Sequence, residues 1–237
     1  ITCIIFCEML TNRQLEVLRE KLEGLQNPLF LYDNDADGFC SYILLRRWLG
    51  RGKGVAVRSH PDIDLRYLHK AQELNCDAII VLDRPLLGNS FVEEAEKLQL
   101  PLIWIDHHDV NSPHYAHAHV QLFNPTQQSD KNKKSSEPTS YLCYELTGRA
   151  EDMWIALMGC IADHFLPDFA KNFGEKYPEF WASKKLIHGP FDAYYGTELG
   201  KLAQAVGVGL KDSISNVLYL QKFMTDCLTP NDLFVEQ

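Results

Sequence analysis

The chain has 237 residues, 46% of them hydrophobic and 11% aromatic, which is enough apolar material for one sizeable core or a core with a smaller lobe. A formal charge of -9 excludes a generally basic nucleic-acid coat, although a local basic groove or a bound cation can still hold phosphate. The seven cysteines (Cys3, Cys7, Cys40, Cys76, Cys143, Cys160, Cys227) are odd in number and never spaced C-x-x-C, which speaks against a disulfide framework or zinc ribbon and for reduced thiols in a cytoplasmic protein.

The opening "ITCIIFCEML" is apolar but short, carries Glu8 and lacks a basic n-region, so neither a signal peptide nor a membrane span is expected. Residues 1–10 are read as an N-terminal extension or a trimmed end. From Thr11, a candidate N-cap, Leu15, Leu18, Leu22 and Leu25 follow helical spacing up to Gly24 and Pro28. The period then changes. "PLFLYD" (28–33), "GVAVRS" (54–59), "DAIIVLD" (77–83) and "PLIWID" (101–106) are short apolar runs that suit buried strands, and helix-like segments at 39–50, 63–75 and 89–98 alternate with them. That alternation predicts an α/β fold with a doubly wound, mainly parallel sheet, whose ligand crevice lies beyond the carboxyl ends of its strands. Three of the four strands end in an aspartate: Asp33, Asp83 and Asp106.

A fifth strand is expected in "HVQLFN" (119–124), followed by the exposed loop "PTQQSDKNKKSSEP". "PTSYLCYELTG" and "EDMWIALMGCIADHF" read as helices, the second placing Asp163 near its end. Beyond Leu166 the chain reads as helical, with breaks at Gly174, Pro178 and "HGPFDAYYG" and a last helix near 211–227.

Asp33, Asp35 and Asp37 occupy alternate positions in "DNDADG", so on an extended chain their carboxylates share one side. At about 5 Å and an effective dielectric near 20, each pair of charges repels by about 3 kcal/mol, and a cation reverses that sign. Oxygen ligands favour Mg²⁺ or Mn²⁺, and imidazole from His107 or His108 tilts the choice to Mn²⁺. An EF-hand loop also begins D-x-D-x-D-G, but its twelfth position would be Leu44 where a bidentate Glu is required, and "PLFLY" reads as a strand rather than an incoming helix. The bland alternative is a solvated acidic turn ended by Gly38. Against it stands "WIDHHD": on an extended backbone His107 and His108 face opposite ways, one towards a metal and one towards substrate or a supporting carboxylate.

With Asp83 in "VLDRP", "DHH" at 106–108 and "MGCIAD" ending at Asp163, the chain resembles the DHH phosphoesterase superfamily in four ordered motifs over residues 28–165. "DxDxDG", "GCIAD" and "EPTSYLCYEL" are most similar to RecJ-type, archaeal-looking single-strand nucleases. The resemblance implies a DHH catalytic domain over 11–165, a helical extension over 166–237, and two metal ions, Mn²⁺ or Mg²⁺. It assigns Asp35 and Asp83 to one ion and Asp37, Asp83, His107 and Asp163 to the other, with Asp83 bridging. His108 would approach the scissile phosphate, Asp106 would orient its neighbours, and Asp33 would be a ligand or lie just behind the ligands.

There are departures. Members with pyrophosphatase activity carry a His where this chain has Leu31, and no "GGH"-like motif of a DHH-associated domain is found before Gln237. The expectation is therefore a catalytic domain alone, half of a split protein or a reduced member. "HYAHAH" (114–119) reads as an exposed loop rather than a metal site, "RRWLGRGK" (46–53) and "KNKK" (131–134) as solvated faces rather than phosphate contacts, and Cys40 and Cys160 as packing. The resulting expectation is a phosphodiesterase acting on single-stranded DNA, RNA or short oligonucleotides, with replication or repair partners and no membrane. Hydrolysis of a linear or cyclic dinucleotide is a second enzyme reading. A non-catalytic replication scaffold is the rival of another class.

Overall fold

The computed structural model describes residues 10–60, 62–109, 119–127, 137–183 and 186–234. Helix α1 (Asn12–Gly24) opens on a capping box in which the Thr11 side chain accepts from the Gln14 N–H and Gln14 answers the Thr11 backbone. Five parallel strands follow: β1 (Leu29–Asp33), β2 (Lys53–Val57), β3 (Ile79–Leu82), β4 (Leu102–Ile105) and β5 (Val120–Phe123), in the order β2-β1-β3-β4-β5. The order reverses between β1 and β3, which is where such sheets bind their ligands.

Helices α2 (Ala36–Leu49), α3 (Arg66–Glu73) and α4 (Asn89–Lys97) make the crossovers. Side chains alternate between two cores, as the period of a strand requires. Phe30, Tyr32, Ile80, Leu82, Ile103 and Ile105 enter the larger core, with α1, α2, α5 (Thr139–Thr147) and α6 (Met153–Ala162). Leu29, Leu31, Ile79, Val81, Leu102 and Trp104 meet Tyr67, Leu68, Phe91 and Val92 of α3 and α4 on the other face. The remaining helices are α7 (Ala170–Lys176), α8 (Pro178–Trp181), α9 (Pro190–Gly196), α10 (Glu198–Gly209) and α11 (Ile214–Asp226). Phe173, Phe180, Ala193, Leu199, Ala203, Val217 and Met224 from these helices belong to the larger core, so 166–234 packs on the α2 face of the sheet. Among the described residues no helix is long and apolar enough to cross a membrane, and Cys40, Cys76, Cys143, Cys160 and Cys227 are buried free thiols.

Several expectations are corrected. α2 begins at Ala36 rather than near residue 39, because the Asp35 side chain accepts the Gly38 N–H and caps it, so the three aspartates do not lie on one extended strand. Gly38 does not end a turn; it sits in the first helical turn, where a Cβ would lie 2.7 Å from the Asp33 backbone. A strand, not a helix, precedes this segment, and Leu44 is buried within α2, which removes the EF-hand reading. Gly174 lies inside α7, and Pro190 starts a helix where a break was expected.

Two of the three arginines of "RRWLGRGK", Arg47 and Arg51, are bound within the chain rather than solvated or free for phosphate. Arg47 forms a buried pair with Asp152 at 2.8 Å and donates to carbonyls at the end of α11, including Thr225 O at 2.9 Å. Arg51 donates to Leu25 O at 2.5 Å and Glu23 O at 2.6 Å. "KNKK" and His114 to His117 lie outside the described residues, as does the N-terminal segment 1–9.

Candidate metal centre and active site

The carboxyl edge of the sheet gathers the acids and histidines. β1 delivers Asp33, and the turn into α2 delivers Asp35 and Asp37. β3 runs into Asp83, whose φ of 59° is left-handed; such a conformation is uncommon for a non-glycine residue and costs strain that the surroundings must hold. The Asp83 N–H donates to Ile105 O at 3.0 Å, and Trp104 Nε1 donates to the carbonyl of the next residue, Arg84, at 2.9 Å. β4 leads into Asp106, His107 and His108 just past its end, and Asp163 caps α6. In α6, Gly159 lets the helix close on its neighbours, since a Cβ there would lie 2.5 Å from Ser140 Oγ and 3.0 Å from Cys40 Cβ.

His107 Nε2 lies 3.4 Å from Asp83 Oδ1 and 3.5 Å from Asp163 Oδ2. This nitrogen is buried and has no hydrogen-bond partner among the described residues. Two sets of potential ligand atoms lie within 4.8 Å of one another: Asp83, His107 and His108, and Asp37, His107 and Asp163. Hard carboxylate oxygens joined by one imidazole suit a divalent ion such as Mn²⁺, and the orphaned His107 nitrogen is the atom such an ion would satisfy.

The histidines correct one expectation. They do not face opposite ways, because the strand ends at Ile105; their ring centroids are 4.5 Å apart. Asp35 and Asp33 fall outside both ligand sets. Asp35 caps α2 yet stays close enough for its charge to act on Asp83. Asp33 is drawn to the Arg84 guanidinium, 2.5 Å away.

Repulsion is visible in the acids. Burial, then the charges of Asp37, Asp33 and Asp163, push the Asp35 carboxyl up to about 7 against the opposing Gly38 hydrogen bond. Asp83 is pushed well above the usual carboxylate range by burial and then by Asp37 and Asp35, and Asp163 is raised by burial and Asp37. The start of α5 offsets part of this charge. The N–H groups of Thr139 and Ser140 donate to the two oxygens of Asp37, each at 2.9 Å, and the Thr139 hydroxyl donates to Asp83 Oδ1 at 3.1 Å.

His108 is held by a separate network. Its Nδ1 lies 2.7 Å from Asp106 Oδ1, and its backbone N–H donates to Asp106 Oδ2 at 3.1 Å. Asn124 Nδ2 donates to Asp106 Oδ2 at 3.2 Å and to His108 O at 3.0 Å, while Thr126 Oγ1 donates to the same carbonyl at 3.1 Å. The Asp106 hydrogen bond raises His108, while burial raises Asp106. Sequence reasoning did not single out Asn124, Thr126, Thr139 or Ser140. The only signals were "NPT" after the fifth strand and "PTS" before a helix, both of which also read as ordinary turn chemistry.

A model of the DHH family, N-terminal domain, matches residues 29–165, more than half of the chain. The chain belongs to the DHH family. Its fold is similar to that of RecJ from Thermus thermophilus in complex with Mn²⁺, at 16% identity and a TM-score of 0.54, covering 90% of this chain and 36% of that one. A second exonuclease RecJ, bound to manganese, is similar at 18% identity and a TM-score of 0.56, covering 98% of this chain and 63% of that one. The DHH domain of a protein described as a member of a ribosomal-protein family gives a TM-score of 0.63 at 12% identity, covering 92% of this chain and 55% of that one. The chain thus spans less than two thirds of each of these structures. A search of curated protein sequences finds no match.

Proposed function

We propose that this DHH-family chain is a metal-dependent phosphodiesterase that hydrolyses single-stranded nucleic acid or short oligonucleotides. The observation that carries the reading is the convergence of Asp37, Asp83, His107 and Asp163 around the orphaned His107 nitrogen, at the switch point of the sheet. In this reading Asp37, Asp83, His107 and Asp163 would hold one ion and Asp35 with Asp83 the other, while Asp33 is paired with Arg84. Two bound Mn²⁺ or Mg²⁺ ions would supply a water nucleophile near neutral pH and neutralise charge on the attacking and leaving oxygens.

The protein's own groups do the rest. His108 is assigned to substrate rather than metal because Nδ1, the ring nitrogen 3.9 Å from Asp83, is already held by Asp106 at 2.7 Å. Nε2 remains as the ring nitrogen that can donate to a phosphoryl oxygen. The carboxylate raises the imidazole, so the cationic form that donates best is favoured. Asn124 and Thr126 fix the His108 carbonyl, and through it the approach of the ring. The presence of each acidic and imidazole position favours a catalytic protein over a non-catalytic replication scaffold.

The test is hydrolysis of end-labelled single-stranded DNA, RNA and a dinucleotide, each with Mn²⁺ and with Mg²⁺. Metal-dependent cleavage of a strand is the expected result. Cleavage of the dinucleotide alone would move the substrate to that class, and cleavage of none would restore the scaffold reading.

A further inference from the structure

Beside the acid and histidine cluster lies a feature that the proposed chemistry does not use. Asp163 caps the end of α6, and the next residue, His164, has a left-handed φ of 57°. That ring stacks on Phe191 of α9 with centroids 4.3 Å apart and planes 15° from parallel. Phe191 continues to Tyr195, one helical turn on, at 6.2 Å and 19°. The three rings form a nearly parallel row. Phe191 and Tyr195 are 57% and 64% exposed, a large apolar surface to leave to water.

The row is held firmly. Ala193, on the opposite side of α9, is fully buried, and its carbonyl accepts from the Thr197 hydroxyl at 2.6 Å. Gln204 Nε2 donates to Tyr194 O at 2.9 Å, tying α9 to α10. Tyr194, edge-on to His164 at 6.2 Å, lines a cavity of about 450 Å³ that also holds Asp35, Asp37 and Asp163, with Lys211 among its walls. The row therefore adjoins the cavity that contains the carboxylates.

We propose that His164, Phe191 and Tyr195 form a stacking ledge for the nucleobase next to the phosphodiester held at the cluster. The inference rests on the phosphodiesterase reading and adds to it the place where a base of the strand is held. A phosphodiester at Asp163 carries a nucleoside on each side, and a flat base is the part of such a ligand that matches a rigid row of rings. Stacking of this kind is tolerant of sequence, since every base offers a π-face. Lys211 supplies a cation for a neighbouring phosphate in the same cavity.

The experiment measures binding of a fluorescent single-stranded oligodeoxynucleotide and of an abasic strand of equal length and phosphate count, with Ca²⁺ present to suppress turnover. The wild-type chain should prefer the base-bearing strand by about 10-fold, the scale of one stacked base. Phe191→Ala combined with Tyr195→Ala should erase that ratio. Phe191→Leu, apolar but without a ring, should reduce it, and Phe191→Trp should keep it. Tyr219→Ala, which removes an exposed ring of α11, should leave the ratio unchanged and so exclude a general loss of surface aromatics. A ratio that survives the double variant, an unselective wild-type chain, or full retention by Phe191→Leu would overturn the ledge. Hydrolysis of the same strand with Mn²⁺ is scored separately. A base preference without hydrolysis would remove the phosphodiesterase reading and leave the ledge as a binding site, whereas hydrolysis without base preference would do the reverse.

Discussion

At the end of β4, Asp106, Asn124 and Thr126 satisfy one another and fix His108, whereas at the ends of β1 and β3 the carboxyls of Asp35 and Asp83, with Asp163 beside them, are raised by burial and mutual charge. The two corners share one sheet edge but differ in what completes them. In the first, hydrogen bonds from His108 and Asn124 oppose the burial that raises Asp106. The second keeps its carboxyls in conflict, which a bound cation would relieve, and the helical start at Thr139 and Ser140 offsets only part of its charge. The carboxyls that repel one another are those a cation would relieve, while Asp106, held by His108 and Asn124, can serve geometry.

Asp83→Asn separates the two principles most sharply. It removes the proposed bridging ligand and one buried like charge, so hydrolysis should fall to background while the apo fold melts at the same temperature or higher. Nuclease assay and thermal melting of the same preparation check both halves. An active Asp83→Asn protein would mean that the bridge is wrongly assigned.

Asn124→Ala attacks the other corner. Supporting partners of this kind typically cost about 10- to 100-fold, and here the loss should fall on turnover, because Asn124 touches Asp106 and the His108 carbonyl but no residue of the ligand set containing Asp37 and Asp163. Mn²⁺ titration of the variant should match the wild-type chain within about 2-fold, well under the effect on turnover. A comparable loss of metal affinity would mean that the two corners are one.

Much of this edge was legible in the sequence, and the part that was not has a physical reason. Short β-rich runs, three of them ended by an aspartate, gave away the strands and the edge where they converge. The tips were harder to read. Alternation of side chains holds only while the chain is extended, so it failed at Asp35, where an N-cap hydrogen bond starts α2, and at His107 and His108, past the end of β4. Thr139, Ser140 and Asn124 act through hydrogen bonds to residues 102, 103 and 18 positions away, a relation that no local pattern carries. Arg47 and Arg51 looked like surface charge because their partners are backbone carbonyls, which every sequence has, and, for Arg47, an aspartate 105 positions away.

Stability against pH and metal sharpens the comparison on a smaller scale. With Asp35 raised to about 7 and Asp83 and Asp163 raised as well, the folded apo chain takes up protons that the unfolded chain, with carboxyls near 4, does not. Unfolding therefore releases protons between about pH 7 and 4, and apo stability should rise as pH falls through that window. His108, raised by Asp106, acts in the same direction. Saturating Mn²⁺ should lift the melting temperature at pH 8 by about 5–10 °C, as expected for an ion at about 100 times its Kd. That lift should shrink towards pH 5, where protons compete for the same oxygens. Melting scans with and without Mn²⁺ at the two pH values test this, and a lift that grows on acidification would contradict a carboxylate site.

The smallest expected effect concerns salt. Affinity for a nucleic-acid strand comes largely from phosphate contacts, each adding about 0.7 to the salt slope on a single strand. This chain carries 23 Lys and Arg against 32 Asp and Glu. Several of its arginines are already committed: Arg19, Arg47 and Arg51 to carbonyls, Arg58 to Leu210 O and Asp212 O, and Arg84 to Asp33. Lys211 lies at the cavity, and the neighbouring recess that shares it is lined by Arg58, His60 and Arg84, of which Arg58 and Arg84 already donate within the chain. The bound ions and a ledge of rings would then do most of the holding, and neither lengthens with the strand. The chain should therefore cleave oligonucleotides of increasing length with similar efficiency, release intermediates after each cut, and show a salt slope below about 2, equivalent to two or three phosphate contacts. Digestion of a length series over a range of salt concentrations, with the intermediates resolved on a gel, gives both readings. Processive loss of long strands with a steep slope would show that cations elsewhere on the chain form a track, and that the satisfied and unsatisfied corners are only the end of a longer substrate path.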